Sequence, residues 1–315
     1  MKRIGNLFYQ ITDFNNLRNA YLKALKGKRF LPSAIIFDCK ADENLHSIKK
    51  RLESNTYKIG NYYQFKIYDP KERLITAASF EDRIVHHAIM NVLEPVFEKQ
   101  FIFHTYACRK GKGTHKAVLY AFNKVKSCGY FLKLDVRKYF DSINHTVLKE
   151  KLEKIIKDRK CLNLLLNIID SFGCEDKGLP IGNLTSQFFA NLYLSETDHF
   201  VIEKLKPQGY VRYMDDILLF SNSKAKLNSF YQKLKLFVEE NIRVEFKTPV
   251  INSCKNGVPF LGFLIKPSCI KVLSKNWKRK IRKIKHLQYL ADIGKISCEE
   301  FYSRFQSIVC FLPLM

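Results

Sequence analysis

Acidic residues are in short supply in this chain. It carries 30 Asp and Glu against 54 Lys and Arg, a formal net charge of +24 over 315 residues. A deficit of that size attracts polyanions, and nucleic acid is the default partner. A membrane surface fits less well, because the charge is spread along the chain and not gathered on one amphipathic helix. Paired cysteines are also missing. The nine cysteines are odd in number and none stands in Cys-x-x-Cys spacing. This leaves a zinc site or a disulfide framework without support and fits free thiols in a reducing cytosol. No apolar run is long enough for a signal peptide or a membrane span, so the expected location is the cytosol. Internal repeats and low-complexity linkers are absent as well.

What is present is a folding composition. Hydrophobic residues make up 46% of the chain, enough to bury one large core or two to three smaller ones. Residues 12–54 read as helical, with Leu17, Tyr21, Leu22 and Leu25 and then Leu45, Ile48 and Leu52 at helical spacing. Residues 56–68 alternate as a strand or hairpin, and Asp69-Pro70 marks a turn. Helices are expected over 80–97 and 113–127. The run Tyr130-Phe131-Leu132-Lys133-Leu134-Asp135 reads as a buried strand ending in a carboxylate. Residues 144–170 read as helix, Gly178 to Gly182 as a turn, and the stretch through Ala190, Leu192 and Leu194 as helix again. Two apolar strands, Gly209 to Tyr213 and Ile217 to Phe220, flank Met214-Asp215-Asp216, which predicts a hairpin with two acids at its tip. Residues 223–241 are expected to be helical, 242–251 and 258–272 strand-like, and the chain from Lys275 onward a strongly basic helix. This order predicts an α+β fold, a split antiparallel sheet with helices on one face.

Phosphoryl or nucleotidyl transfer asks little covalent chemistry of a protein. It asks for two divalent ions about 3.5–4 Å apart that clamp the attacking and leaving oxygens. Such ions prefer hard oxygen ligands, and carboxylates at neighbouring strand ends supply them. An Asp-Asp pair in a turn is by itself an ordinary solvated turn, and Asp135 alone could cap a helix. Together, with apolar strands on either side that make an unmatched charge costly, they point to a metal site.

The pattern resembles the reverse transcriptases. Leu134 to Ile143 looks like motif A of that family, Gly178 to Gln187 like motif B, and Tyr213-Met214-Asp215-Asp216 like motif C. Phe260-Leu261-Gly262 resembles the hairpin that grips the primer, and Arg73-Leu74-Ile75 with Asp82 to Arg109 resembles the fingers motifs of bacterial members. The resemblance spans about residues 60–270 in the family's order. It implies a right-hand polymerase, with residues 1–134 mainly fingers, 135–268 mainly palm and 269–315 a short basic thumb. Asp135, Asp215, Asp216 and the carbonyl of Val136 would hold two Mg²⁺ ions, with Mn²⁺ able to substitute. The amides of Lys138 and Tyr139 and the side chain of Arg73 would meet a triphosphate. Phe140 would exclude a ribose 2′-hydroxyl, and Ile181, Gly182 and Gln187 would border the nascent pair. Tyr213, Met214, Phe260, Leu261, Gly262, Lys278 and Arg282 would touch primer or template, and Lys247 would be a general acid. Template RNA, primer or cDNA, and dNTPs are the implied ligands.

One departure narrows the resemblance. Most members carry Gln before the motif B glycine and Ser-Pro at its end, whereas this chain has Ile181 and Ser186-Gln187. That form resembles the enzymes of diversity-generating retroelements in bacteria and their phages. Such enzymes misincorporate opposite template adenine and work with a small basic, oligomeric accessory protein. No endonuclease or RNase H segment is expected, so the chain should polymerise and not cut.

Overall fold

The computed structural model describes residues 3–68, 72–173 and 175–309. The chain divides into two compact units. The first comprises residues 1–103, 136–200 and 235–245, and the second residues 104–135, 201–234 and 246–315. The expected turn at Asp69-Pro70 lies outside the described residues.

The first unit opens with α1 (Phe8–Thr12), α2 (Phe14–Leu25), α3 (Pro32–Asp38) and α4 (Ala41–Glu53). The single helical stretch expected over 12–54 is thus three helices. Lys26 turns to extended backbone, Gly27 takes φ 71, and Pro32 starts the next helix at its first position, where its missing N–H costs nothing. A hairpin of β1 (Tyr63–Ile67) and β2 (Arg73–Ala77) follows, with Phe65 opposite Ile75 and Ile67 opposite Arg73. The expected strand is shorter than 56–68. The amides of Thr56 and Tyr57 both donate to the Arg51 carbonyl, and the buried Tyr57 hydroxyl donates to Asp82 at 2.7 Å, which spends that segment on a turn.

Helix α5 (Phe80–Glu98) is capped by Ser79, whose hydroxyl accepts from the Asp82 amide at 3.1 Å. Its buried face includes Ile84, Val85, Ala88 and Ile89, and the helix packs on α2, where Leu17, Ala20 and Ala24 are buried. Each large side chain so buried contributes about 2 kcal/mol.

The second unit contains α6 (Thr114–Ser127) and β3 (Tyr130–Asp135). The chain then returns to the first unit for α7 (Tyr139–Ser142), α8 (His145–Ile155), α9 (Arg159–Asp170), α10 (Leu184–Tyr193) and α11 (Ser195–Phe200). The helix expected over 144–170 is broken between α8 and α9. Ile4 exchanges backbone hydrogen bonds with Ile155 and Lys157, and Asp158 accepts from the amides of Leu7, Phe8 and Cys161. A residue engaged in that way caps a new helix and cannot continue an old one.

The rest of the second unit is β4 (Gly209–Tyr213), β5 (Asp216–Ser221), most of α12 (Lys224–Phe237), β6 (Val250–Ser253), β7 (Val258–Phe260), β8 (Phe263–Ile265), β9 (Ile270–Val272), α13 (Ser274–Asp292) and α14 (Cys298–Val309). Its main sheet is antiparallel, in the order β4-β5-β3-β6, and β7-β8-β9 form a second antiparallel sheet. Phe131, Val211, Leu218 and Phe220 of the first sheet and Phe260, Phe263 and Ile265 of the second share one core with Ala117, Val118, Ala121 and Val125 of α6. The strand expected over 242–251 is displaced to 250–253, because Val238–Ile242 continues as a π-turn and Arg243 takes φ 58. The terminal basic helix is two helices, divided at Gly294 (φ 67). The α+β class therefore holds. Among the described residues, no helix is long and apolar enough to cross a membrane.

Candidate active site

Strand β3 runs antiparallel to β5 in a register that sets Asp135 directly opposite Asp216. Like charges in that position repel across about 5 Å. The chain answers with two lysines from the same unit. Lys133 donates its ammonium to Asp216 Oδ2 at 3.1 Å, and Lys247 donates to Asp135 Oδ1. Lys133 also donates to the Pro259 carbonyl at 2.9 Å, which ties Asp216 to the first strand of the second sheet. Neither lysine position is accidental. Lys133 lies two residues before Asp135 and so on the same strand face. Lys247 is placed by its amide, which donates to the Asp135 carbonyl at 2.8 Å.

Asp215 sits in the two-residue turn between Tyr213 and Asp216, which pair across the β4-β5 hairpin. Met214 holds φ 56 there. Tight hairpins demand such a left-handed residue, and a methionine adopts it at a cost of about 1 kcal/mol. Arg212 offsets that strain. It is fully buried, and its Nη1 donates to the Met214 carbonyl at 3.0 Å. The Tyr213 hydroxyl accepts from Thr114 at 3.3 Å.

Burial pushes the Asp216 carboxyl up to about 6. Lys133 pulls it down, while Asp215 and Asp135 push it up again. Three carboxylates therefore act on one another at this sheet end. Among the described residues, Asp216 Oδ1 is buried without a hydrogen-bond partner. Among them, too, no three histidine, cysteine or acidic side chains stand ready-made as a ligand set. The donors still fit a hard divalent cation: they are carboxylate oxygens, they repel one another, and one is unsatisfied. Asp135, Asp215 and Asp216 would hold it, displacing the lysine ammonium groups that now neutralise two of them. Bound there, such ions supply charge neutralisation at the attacking and leaving oxygens of a phosphoryl group.

The residues expected at the nucleotide lie in the first unit. Lys138 is exposed with φ 43, and the buried Tyr139 donates its hydroxyl to the Ala190 carbonyl, so only its backbone is available to a ligand. Val136 is fully buried. The Phe140 carbonyl accepts from Leu179 N at 2.9 Å, joining motif A to motif B. The Ile181 carbonyl accepts from Thr76 N at 2.8 Å, and a Cβ on Gly182 (φ 130) would lie 3.0 Å from Ile75. Ile181, Gly182, Ile75 and Thr76 thus form one group beside β2. Gln187 is half-buried in α10, and Arg73 is exposed in β2.

In the second unit Phe260 is 1% exposed, which makes its ring a core group and not a surface for primer. What the hairpin presents is its turn, Leu261 at φ 47 and Gly262 at φ 88, held by Leu273 N on the Gly262 carbonyl at 3.0 Å. Lys278 and Arg282 are exposed four residues apart on α13. Lys133 and Arg212 are site residues that the motifs do not point to. Their signal in the sequence is a single cation inside each of two apolar strands.

A family model described as reverse transcriptase (RNA-dependent DNA polymerase) matches residues 66–265, which include every strand-borne residue of this site. The chain belongs to the reverse transcriptase family. It is similar to protein YkfC of Escherichia coli, 23% identical over an alignment of 250 residues that covers 62% of this chain and 65% of that one. It is also similar to the group II intron-encoded protein LtrA of Lactococcus lactis, 25% identical over 173 residues, 52% of this chain and 29% of that one. Among solved structures, apo telomerase from Candida tropicalis shares the fold with a TM-score of 0.53 at 15% identity, over 84% of this chain and 62% of that one. This places the chain among right-hand polymerase folds. It spans less than two thirds of the length of each of these relatives.

Proposed function

We propose that this chain is an RNA-directed DNA polymerase that extends a primer on template RNA by two-metal nucleotidyl transfer from dNTPs. The observation that carries the proposal is the facing pair Asp135 and Asp216, with Asp215 beside them, inside the matched family region. In this reading residues 1–134 are mainly fingers, 135–268 mainly palm and 269–315 thumb. Arg73, Lys138, Tyr139 and Phe140 meet the incoming nucleotide, Phe140 selects against ribose, and the Leu261–Gly262 turn, Lys278 and Arg282 meet the duplex. Lys247, already against Asp135, is the proton donor to pyrophosphate. Primer extension on an RNA template, with Asp215→Ala beside it, tests the activity. Mg²⁺-dependent dNTP incorporation lost in the variant is the expected result, and an undiminished product in Asp215→Ala would sink it.

The finer proposal is a diversity-generating enzyme that is error-prone at template adenines and assisted by a small basic accessory protein. Its support is Ile181 with Gln187. An apolar side chain beside the nascent pair forgoes a polar contact that would help reject a mismatch. A rise in adenine fidelity on Ile181→Gln is expected, and an unchanged error spectrum would remove Ile181 from the account. The group II intron type is the second reading, favoured by the similarity to LtrA.

A further inference from the structure

Strand β3 carries a single cation. Leu132 and Leu134 are buried, and Lys133 stands between them with its side chain 23% exposed. An ammonium held that far from water is costly unless its donors find partners. Two of them do. Lys133 Nζ donates to Asp216 Oδ2 at 3.1 Å and to the Pro259 carbonyl at 2.9 Å. The first partner belongs to the carboxylate cluster. The second belongs to β7, an edge strand of the second sheet, where a proline is tolerated because it owes the ladder no N–H.

The connection does not end at Pro259. Two residues on, Leu261 (φ 47) and Gly262 (φ 88) make the turn between β7 and β8. The following segment holds that turn from its other side. Leu273 N donates to the Gly262 carbonyl at 3.0 Å, and Asn276 Nδ2 donates to the same oxygen at 3.2 Å. Leu273 is the N-cap of α13, and Asn276 lies in its first turn, two residues before Lys278. Lys133 thus sits on a path from carboxylate to hairpin to basic helix, and the whole path stays within the second unit. A leucine in the left-handed region is strained, and such a residue persists where its surroundings over-determine it. Lys133 on one side and α13 on the other do so here.

We propose that Lys133 is a positioning residue that holds the Leu261–Gly262 turn, and with it the start of α13, in place relative to the carboxylate cluster. The proposal rests on the reading of that turn, Lys278 and Arg282 as duplex contacts. On release of Asp216 to a divalent cation, Lys133 keeps the Pro259 carbonyl, so the hairpin stays anchored to β3. Duplex placement and the carboxylate cluster are then coupled through one side chain, and a change at either end is felt at the other.

The test uses the full chain with Lys133→Met, which keeps the apolar stem and removes both hydrogen bonds. Lys133→Arg is the conservative variant, and Lys255→Met is an exposed control that should match wild type. In the absence of metal and nucleotide, hydrogen exchange at the Leu273 amide should run about tenfold faster in Lys133→Met, a typical effect of one lost charge-assisted contact. Lys133→Arg should bring it back toward wild type. In steady-state primer extension, Lys133→Met should raise KM for the primer–template duplex about tenfold and leave KM for dNTP unchanged. A general loss of stability would not separate the two constants. If Lys133→Met fails to fold, Asn276→Ala cuts the same path at the turn and carries the test, with the same split expected. A folded Lys133→Met with wild-type exchange at Leu273, or with both KM values raised alike, would overturn the positioning role while an inactive Asp215→Ala left the polymerase reading standing. Undiminished product in Asp215→Ala would instead sink the polymerase reading, and the exchange measurement would still decide whether Lys133 holds the turn.

Discussion

Two clusters in this chain handle charge in opposite ways. At the end of the β3-β5 ladder, carboxylates converge and each of two takes a lysine, Asp216 with Lys133 and Asp135 with Lys247. In the cavity between α2, α5 and the start of α10, cations and histidines converge without any carboxylate among the described residues. In the first arrangement lysines offset two of the three carboxylates, and in the proposed function a divalent cation would replace those ammonium groups. The second carries no offsetting carboxylate among the described residues. A net charge of +24 therefore says less than its distribution. Lysines pair with carboxylates in one region and stand without them in the other.

The contrast is most exposed at Asp216. Asp216→Asn keeps the size of the side chain but removes the charge, and should lower dNTP incorporation on the order of 10³-fold, as loss of a major electrostatic contact to a transition state does. Single-turnover primer extension measures it, with circular dichroism to confirm folding. Second is Arg212, whose guanidinium is fully buried behind the carboxylate turn. Arg212→Met should cost about 3 kcal/mol in urea unfolding, because it removes a buried guanidinium and leaves the Met214 carbonyl without this donor.

A third prediction concerns the cation-rich region and pH. Burial depresses His86 to about 4, so the folded chain holds it neutral while the unfolded chain protonates it near 6.5. The folded state binds fewer protons, so stability is fully present above about 6.5 and is lost as pH falls toward 4. About 2 kcal/mol should disappear between pH 7 and pH 5, and His86→Phe should flatten that slope in urea titrations at the two pH values. The smallest effect is at the second sheet. Gly262 holds φ 88 and a Cβ would lie 2.6 Å from Asn276 Nδ2, so Gly262→Ala should cost about 1 kcal/mol by thermal melting.

Much of the carboxylate cluster is legible in the amino-acid sequence. Asp135 ends an apolar run, and Asp215-Asp216 interrupt two others, so period-two patterning alone puts them at strand ends. The pairing that makes them opposite is long-range, yet buried strands have few registers that keep their apolar faces inward. The helices α5 and α6 and the hairpin β4-β5 lie near their expected bounds for the same reason. The misses share a different cause. The breaks at 26–31 and 156–158 come from Pro32 and from Asp158 capturing distant amides, and contacts across the chain leave little local trace. The motif marks Phe260 as a primer contact, but its ring shares one core with Phe263 and Ile265. Lys133 and Arg212 show in the sequence only as single cations inside apolar strands, and the register and contacts give them their partners. The cation-rich cavity is illegible in the sequence because its members come from three separate segments, each an ordinary basic or polar stretch.

In the proposed function Asp135 and Asp216 form a divalent-cation site in which the ion would replace the lysine ammonium groups that now pair with them. Mn²⁺ binding followed by electron paramagnetic resonance tests that assignment without any nucleotide or template. Wild type should bind Mn²⁺ in a Mg²⁺-competitive manner, and Asp135→Asn with Asp216→Asn together should abolish that binding in a folded chain. Equal Mn²⁺ binding by the folded double variant would contradict the assignment.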